Sequence, residues 1–561
     1  EMENLENLTE TPRRAAVYAH FLDRFLTQPA EQFGGVRETI GNYLQYILTP
    51  EVAEVFCTGE STFDFSTIDQ GKIILTTMPQ KFQTERRYVN TFLKLLFYNH
   101  ALRRFDQTKT QRGTHNLLIL SADEAQAIFD RVKKLSKAET VEMQLNSNHT
   151  GNTRFAANQM STSGSVTDMP LGVQSSFGPK HAVVVTNDLS DESLARAVAE
   201  SEALAKLAPD DPEAMPALGM QSYVPVNAHF DSTANLTAAD RAKAALTALA
   251  PARSAGDLQA AGFIITGESS VALGNSKGLF AYHRATSANY QLTVRTADGT
   301  GSGWAAADHP DWTQLDFKAV SDRAIEKAKL SRNPVAIEPG RYTVILEPQA
   351  VGDLVQLIGN YSDARSADEG RSPFVKAGGG NKVGEKIVDE RVNIVADPQD
   401  PQLMSQPFDG DGLALNRQVF IENGVLKQLF YSRFWAKKQG KVATGQPASI
   451  KMMGGSTSID EMIKSTPRGV LVTRLWYLRE VDPRTILYTG LTRDGTFLIE
   501  NGKITKAIRN FRFNDSPLFM LNNLEMLGPS VRLAGTEQGG DIVMPTIKVK
   551  DFNFTSLSEA V

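Results

Sequence analysis

Residues 452–514 read MMGGSTSIDEMIKSTPRGVLVTRLWYLREVDPRTILYTGLTRDGTFLIENGKITKAIRNFRFN, and this stretch decides the fold of the C-terminal half. Within it, Ile499–Ile504 places Asn-Gly between two apolar segments, and Ile421–Leu426 shows the same pattern upstream. Asn-Gly favours a type I′ turn, because both central residues of that turn need a positive φ. We therefore predict two β-hairpins within a mostly β structure from Arg341 onward.

Upstream of residue 341, helices and antiparallel strands are predicted together. Capping residues and amphipathic spacing predict three helices, at Asp191–Leu207, Ala238–Leu249 and Asp316–Leu330. Alternating apolar residues over Gly262–Arg295 predict antiparallel strands. The fold class that follows is α+β, with a mixed α/β N-terminal region and a largely antiparallel β C-terminal domain.

Composition narrows the class of protein. At 561 residues the chain is long enough for three or four domains. Its net charge of −5 argues against nucleic-acid binding, which usually needs a basic surface. A single cysteine, Cys57, fits a reducing compartment. No apolar run approaches the roughly 20 residues of a membrane helix, so we predict a cytoplasmic protein that does not contact a membrane.

The segment Leu117–Gln126, LLILSADEAQ, is an apolar run that ends in two carboxylates, Asp123 and Glu124. This arrangement resembles a Walker B motif, and residues of about 60–130 resemble a conjugative coupling-protein ATPase of the TraD/VirD4 type. A P-loop of the form G-x-x-x-x-G-K-[ST] is absent from the sequence. The resemblance therefore implies a partial P-loop-type α/β fragment that cannot turn over nucleotide.

Four C-terminal segments carry a second and more extensive resemblance: GGGNKVGEKIVDERVNI (378–394), IENGVLKQLFYSR (421–433), TRLWYLREVDPRT (473–485) and DFNFTS (551–556). With Arg154 and Asn158 in the upstream RFAAN segment, they resemble the TldD/PmbA family, also described as peptidase U62 or modulator of DNA gyrase. The resemblance covers about residues 139–561. Active members of that family are zinc metallopeptidases.

The family resemblance also implies where zinc ligands would stand. The two family histidines fall near Gln356 and Tyr361, the glutamate near Leu357, and the cysteine near Trp476 within 475–479. Amide, phenol and indole groups are not the imidazole, thiolate or carboxylate that zinc requires. The chain thus resembles the TldE (PmbA) side of the family, with no metal ligands or catalytic residues of its own and zinc expected only on a TldD-type partner.

Six residues are candidates for lining a peptide cavity: Arg154, Asn158, Arg474, Arg479, Arg493 and Asp494. In one interpretation their guanidinium groups bind the backbone carbonyls or the carboxylate of a peptide. In the other, they form ion pairs that hold the barrel or a subunit interface together. The sequence leaves both interpretations open.

The predicted domains are residues 1–138 (the coupling-protein ATPase-like fragment), 139–220 (a TldE-like N-terminal region), 221–335 (a central region) and 336–561 (the C-terminal β domain). The main hypothesis is a TldE/PmbA-like subunit of a zinc metallopeptidase complex acting on short or unfolded peptides, paired with a TldD-type subunit or forming a homodimer. One alternative is an interaction module related to conjugative DNA transfer. Another is an accidental fusion of two gene fragments.

Overall fold

The computed structural model describes residues 120–535 and 541–558. The chain divides into two compact units, Glu1–Leu118 and Ile119–Val561, and the described residues all belong to the second. Predictions for residues 1–119, including the parallel strands of an ATPase fragment, lie outside the described residues. None of the helices in the described part is both long and apolar enough to cross a membrane.

The N-terminal half of the described chain forms a seven-stranded antiparallel sheet. Its strand order is β4-β3-β1-β5-β6-β7, and β2 pairs with the far half of β1. The alternation over 262–295 correctly predicted the β5–β6 pair. The strands are β1 Thr140–Ala156, β2 Gln159–Asp168, β3 Leu171–Phe177, β4 Lys180–Thr186, β5 Leu258–Asn275, β6 Phe280–Thr296 and β7 Ser302–His309.

Five helices accompany this sheet. All three predicted helices are present, and each begins at a residue whose side chain accepts a hydrogen bond from the first turn: Ser190, Thr237 or Asp316. A short 3-10 helix, Trp312–Gln314, follows β7. The helices are α1 Ala122–Leu135, α2 Asp191–Leu207, α3 Asp231–Ala234, α4 Ala238–Ala255 and α5 Phe317–Leu330.

Two apolar clusters attach the helices to one face of the sheet. In the first, Phe129 of α1 and Leu194 of α2 pack with Leu145 of β1. In the second, Ala248 of α4 packs with Phe155 at the other end of β1. Alternate residues of a strand point to one face, so Leu145 and Phe155 place both clusters on the same side. The opposite face of β1, β3 and β4 carries no helix from either cluster.

Helix α1 is part of this domain. Its side chains Ala125, Phe129 and Val132 are buried against the sheet. The compact unit therefore begins about twenty residues before the boundary predicted at 138. Strands β1–β4 all pair within the seven-stranded sheet. The segment predicted to end an ATPase fragment contributes a helix that covers the sheet.

The C-terminal domain is built around an eleven-stranded sheet with the order β11-β10-β9-β12-β18-β16-β14-β13-β8, with β15 paired to β14 and β17 to β18. Most pairs are antiparallel, and β8–β13 and β12–β18 are parallel. The strands are β8 Gly340–Leu346, β9 Ile394–Ala396, β10 Gln418–Glu422, β11 Val425–Leu426, β12 Ile450–Met452, β13 Arg468–Asp482, β14 Leu487–Glu500, β15 Lys503–Ala507, β16 Phe511–Asp515, β17 Leu524–Arg532 and β18 Ile542–Leu557.

Six short helices surround this sheet, and the first of them closes its main core. Leu354 and Val355 of that helix are fully buried beside Val472 of β13 and Val549 of β18. The helices are α6 Pro348–Val355, α7 Leu357–Asn360, α8 Ala364–Asp368, α9 Arg433–Gln439, α10 Ile459–Lys464 and α11 Pro517–Asn522.

Both Asn-Gly hairpins are confirmed. Asn423 and Gly424, with φ of 50° and 75°, connect β10 to β11, and Asn501 and Gly502, with φ of 50° and 74°, connect β14 to β15. Positive φ at both central residues is the geometry for which Asn-Gly is selected. The two turns close the β10–β11 and β14–β15 pairs.

Candidate functional site

Two of the predicted ligand positions lie on helices α6 and α7, and α6 packs against β13. Gln356 connects the two helices and Tyr361 ends the second. The buried carboxylate of Asp353 in α6 accepts a hydrogen bond from the Leu475 amide of β13 at 3.3 Å. Helix α6 and the start of the 475–479 segment are therefore in direct contact.

Tyr361 is held in a small polar cluster at this junction. Its hydroxyl donates to the carboxylate of Glu480 and lies 3.1 Å from the hydroxyl of Tyr488. Burial, followed by the hydrogen bond to Glu480, raises the pKa of Tyr361 above its ordinary value. The phenol therefore stays protonated at neutral pH and acts as a hydrogen-bond donor.

Three of the candidate residues, Arg474, Arg493 and Asp494, lie in one assembly with two tryptophans. We call this set of five residues the arginine ladder: Trp304, Arg474, Trp476, Arg493 and Asp494. The Arg474 guanidinium lies 4.8 Å from the ring centroid of Trp304 and 5.2 Å from that of Trp476. Arg493, which is opposite Arg474 in the β13–β14 register, lies 4.8 Å from the same Trp476 ring. Cation–π contacts of this kind contribute about 0.5–1 kcal/mol each at exposed sites.

Asp494 anchors the ladder to the N-terminal sheet. Its carboxylate is buried, accepts a hydrogen bond from the Ser302 hydroxyl of β7 at 2.6 Å, and lies 3.4 Å from Arg474 Nε and 3.7 Å from Arg493 Nε. Its φ of 54° is a left-handed conformation that aspartate tolerates better than most residues. These contacts are those expected from the ion-pairing interpretation, and they join the two domains.

A bulge in β13 exposes two adjacent aromatic side chains. The register shifts between Trp476 and Arg479, and Tyr477 has a φ of 58°. Successive strand residues normally face opposite sides, yet here both Trp476 (39% exposed) and Tyr477 (47% exposed) reach solvent. The Arg479 guanidinium covers the Tyr477 ring at 4.1 Å. Periodicity in the sequence gives no sign of this bulge.

The two upstream candidates are placed elsewhere, on the N-terminal sheet. Arg154 is exposed on β1. Asn158 occupies the β1–β2 turn with a φ of 61°, where its side-chain amide donates to the Leu258 carbonyl and accepts from the Ala260 amide, both at 2.7 Å. The Asn158 side chain therefore fixes the turn to β5.

The acidic pair of the Walker B-like motif lies in the first turn of α1. The Glu124 carboxylate accepts a hydrogen bond from the Ser121 amide at 2.8 Å, and the Ser121 hydroxyl accepts one from the Glu124 amide at 3.2 Å. This is a capping box, whose sequence signature is Ser-x-x-Glu. Asp123 adds a second negative charge at the positive end of the helix. The nucleotide-related role of the pair stays a prediction.

An open groove runs between the helix-free face of the N-terminal sheet and loops of the C-terminal domain. Its larger part, the sheet cleft, has a volume of about 900 Å³ and is lined by Glu142, His181 and Val183. A second part, the loop cleft, is about 640 Å³ and is lined by Gln356. The two parts share Arg433 and adjacent loop residues. One of the predicted ligand positions therefore faces the groove.

Both parts of the groove contain partly desolvated carboxylates. Burial raises the pKa of Glu142 in the sheet cleft, although the Gln174 amide donates a hydrogen bond to it at 3.0 Å. Burial likewise raises the pKa of Asp409 in the loop cleft, although the backbone amides of Asp411 and Leu413 donate to it. Groups of this kind interact strongly with polar ligands because little water competes for them.

Over the described residues, the fold is an α+β arrangement of two domains, with a groove between the N-terminal sheet and loops of the C-terminal domain. The PmbA/TldA metallopeptidase central domain matches residues 230–332, and the PmbA/TldA metallopeptidase C-terminal domain matches residues 339–556. Together these matches cover more than half of the sequence. The chain belongs to the TldD/PmbA family of metallopeptidases.

Individual relatives agree with this assignment. A metalloprotease of Methanothermobacter thermautotrophicus is 26% identical over 47% of this chain and 61% of its own length. A metalloprotease PmbA homolog of Haemophilus influenzae is 22% identical over 68% of this chain and 86% of its own length. The chain spans about half to three fifths of the length of the first curated relatives it matches.

A solved structure supports the fold independently. TldE from Thermococcus kodakarensis superposes with a TM-score of 0.69 at 17% sequence identity, and the match covers 78% of this chain and 100% of that one. At this identity the likeness concerns the fold alone. It confirms the α+β class predicted from the sequence.

Proposed function

We propose that this chain is the TldE-like subunit of a TldD/TldE-type zinc metallopeptidase that acts on short or unfolded peptides, and that it binds peptide without supplying zinc ligands. The observation that carries this proposal is the junction of α6, α7 and β13. The residues that the family resemblance aligns with metal ligands are Gln356 and Tyr361, at the ends of these helices, and Trp476, on β13. Family membership alone leaves the subunit role open.

The donor chemistry of this junction does not fit zinc. Zinc in proteins is held by imidazole, thiolate or carboxylate groups in tetrahedral arrangement. The Tyr361 hydroxyl is already committed to Glu480 and Tyr488, and the Trp476 ring lies between two guanidinium groups. Over residues 120–535 and 541–558, no group of three or more His, Cys, Asp and Glu side chains is arranged to hold a metal ion. Zinc would therefore be supplied by a TldD-type partner.

The groove supports a peptide-binding role for the chain itself. The sheet cleft, at about 900 Å³, lies within the range of about 300–1,000 Å³ that is common for ligand pockets. Val183 offers apolar surface there, and the partly buried Glu142 offers a hydrogen-bond acceptor. Among the candidate arginines, Arg154 and Arg479 are exposed and could bind the carboxylate of a peptide. Arg474 and Arg493 would act indirectly, by holding Trp476.

The same proposal includes location and assembly. A cytoplasmic complex with a TldD-type subunit, or with a second copy of this chain, agrees with the composition and with the exposed aromatic pair on β13. Trp, Tyr and Arg are the residues that dominate binding at protein interfaces. No observation in the described residues favours a role in DNA transfer.

Reconstitution tests the peptide-binding role. Full-length chain is mixed with a TldD-type subunit, and cleavage of an unfolded peptide is followed. We expect Val183→Arg to reduce cleavage about tenfold, because the added bulk and charge would obstruct the sheet cleft. Val166→Arg on β2 is the matched control, since Val166 is 65% exposed and comparable with Val183 at 53%. Equal effects of both variants, or full cleavage by this chain alone, would contradict the proposal.

A further inference from the structure

The helix-covered face of the N-terminal sheet carries a polar belt between its two apolar clusters. On β1 the belt consists of Ser147, His149 and Gly151, and on β5 of the residues directly opposite them in the register: Ser270, Glu268 and Thr266. Ser147, Thr266, Glu268 and Ser270 are all buried. Buried polar groups normally find hydrogen-bond partners, so each group in this belt should have one.

The acidic group of the belt is already engaged. Glu268 Oε1 lies 2.5 Å from His229 Nε2, and the other ring nitrogen of His229 lies 2.9 Å from Arg284 Nη2. One carboxylate thus serves a histidine and, through it, an arginine. This leaves Glu268 poorly placed to neutralise a second guanidinium in the belt.

That second guanidinium belongs to Arg241, in the first turns of α4. The residue is only 3% exposed, and its guanidinium lies flat against Gly151, where an added Cβ would stand 2.3 Å from Nη1. Among the described residues, its one hydrogen bond runs from Nη1 to the Thr266 hydroxyl at 3.3 Å, and its buried Nε has no acceptor. Burial is also the largest influence on its pKa, which is lowered.

This burial is energetically unusual. An arginine has five N–H donors, and an unpaired buried charge is strongly destabilising unless acceptors compensate for the lost water. The neighbouring Asp240 carboxylate is used in the capping box with Thr237. The Asp240 charge offsets part of the burial of Arg241, but no carboxylate of the described residues hydrogen-bonds to its guanidinium, which leaves N–H groups for a further acceptor.

We infer that Arg241 marks a binding site for a small oxyanion, in which the guanidinium and the Thr266 hydroxyl hold a carboxylate, phosphate or sulfate group. A guanidinium presents its N–H groups as a planar fork that matches such oxygens. Long helical side chains point back toward the N-terminus of their helix, and the N-terminus of α4 adds a favourable positive potential. The exposed residues 237–240 give the anion a route from solvent.

Thermal unfolding of the full-length chain tests this inference, with sodium phosphate, sulfate, acetate and chloride compared at constant ionic strength and pH 7.5. We expect phosphate, sulfate or acetate to raise the Tm by a few degrees with saturable dependence on concentration, whereas chloride should have little effect. The strongest of the three anions identifies the oxyanion class: phosphate and sulfate indicate a tetrahedral ligand, and acetate indicates a carboxylate.

Variants connect the effect to the residue. Arg241→Gln should abolish the saturable rise in Tm, and Lys243→Gln, which removes a charge from an exposed position of the same helix, should retain it. An equal rise in wild type and Arg241→Gln would indicate an adventitious ion only and overturn the inference. The absence of a saturable rise in the Tm of the wild-type protein would also overturn the inference, because hydration of the Arg241 guanidinium would then be sufficient without an anion.

A second variant covers the case in which Arg241→Gln fails to fold. Arg241→Lys keeps the charge and loses the planar fork, so phosphate binding measured by calorimetry should weaken about tenfold. Unchanged affinity in Arg241→Lys would overturn the inference, as would a wild-type stoichiometry far from one. None of these measurements depends on peptidase activity, so failure here is distinguishable from failure of the proposed function.

Discussion

Arg474 in the arginine ladder and Arg241 in the polar belt are both withdrawn from water, but their surroundings differ. Arg474 lies between two tryptophan rings and pairs with the buried Asp494. Arg241 has the Gly151 backbone on one side and, within the described part of the chain, a single hydrogen bond to Thr266. The Arg474 charge is neutralised by a carboxylate of the chain itself, whereas the Arg241 charge is left to be neutralised by a bound anion. Burial alone therefore does not separate a structural arginine from a binding one; the set of acceptors does.

The largest expected effect comes from removing the internal compensation of the ladder. Asp494→Asn keeps the side-chain shape and tolerates the positive φ, but leaves Arg474 and Arg493 without their carboxylate. We expect a loss of about 3 kcal/mol in the free energy of unfolding, measured by denaturant titration. Glu500→Gln, on the same strand, is the control, because that carboxylate accepts from Thr505 at the surface. A similar loss in the free energy of unfolding of both variants would show that Asp494 stabilises the fold no more than a surface carboxylate does.

Crowding the polar belt should have the next largest effect. Gly151→Ala would bring a Cβ within 2.3 Å of the Arg241 guanidinium, and we expect a stability loss of about 2 kcal/mol together with loss of the anion effect. Gly164→Ala on the paired strand β2 is the control, since its Cβ would meet only Asn152 Nδ2 at 3.8 Å. If Gly151→Ala retains the saturable rise in Tm with anion, the anion does not bind at Arg241.

Trp476 links the ladder to the exposed surface. Trp476→Ala removes two cation–π contacts, so stability should fall by about 1 kcal/mol, and peptide cleavage in the reconstituted complex should fall as well. Val481→Ala, also exposed on β13 at 51%, should change neither quantity measurably. A stability loss without any change in cleavage would restrict Trp476 to a structural role.

The smallest expected effect concerns the strained bulge. Tyr477→Gly relieves a left-handed conformation that costs a side-chain-bearing residue about 1–2 kcal/mol, and it loses the contact with Arg479. We expect a net gain of about 0.5 kcal/mol in the free energy of unfolding, with reduced peptide cleavage. Increased stability with unchanged cleavage would mean that the exposed ring does not contribute to function.

Local signals in the sequence predicted much of this fold. The caps Ser190 and Thr237 and the turns at Asn423 and Asn501 depend only on residues close by in the sequence, so each was predictable without the tertiary structure. Asp316 was predicted as the first residue of a helix and is its N-cap. The signature Ser121-x-x-Glu124 was equally local and identifies the cap of α1. The same residues also resemble a Walker B motif, so the sequence alone allows both interpretations.

The parts of the site that the sequence did not reveal depend on register and packing. Trp304 and Arg474 are far apart in the chain, and the ladder exists because β7 contacts the β13–β14 hairpin through Ser302 and Asp494. The polar belt likewise requires the β1–β5 register, which places Gly151 opposite Thr266 and beneath Arg241. Neither arrangement leaves a pattern in any single segment.

Zinc stoichiometry tests most directly the proposal that this chain supplies no zinc ligands. The full-length protein should be purified alone and with a TldD-type subunit, and its zinc content measured together with peptidase activity. We expect close to zero zinc per chain and no cleavage for the protein alone, with zinc and cleavage both present in the mixture. One zinc per chain in the protein alone, accompanied by cleavage, would contradict the assignment of Gln356, Tyr361 and Trp476 as non-ligands.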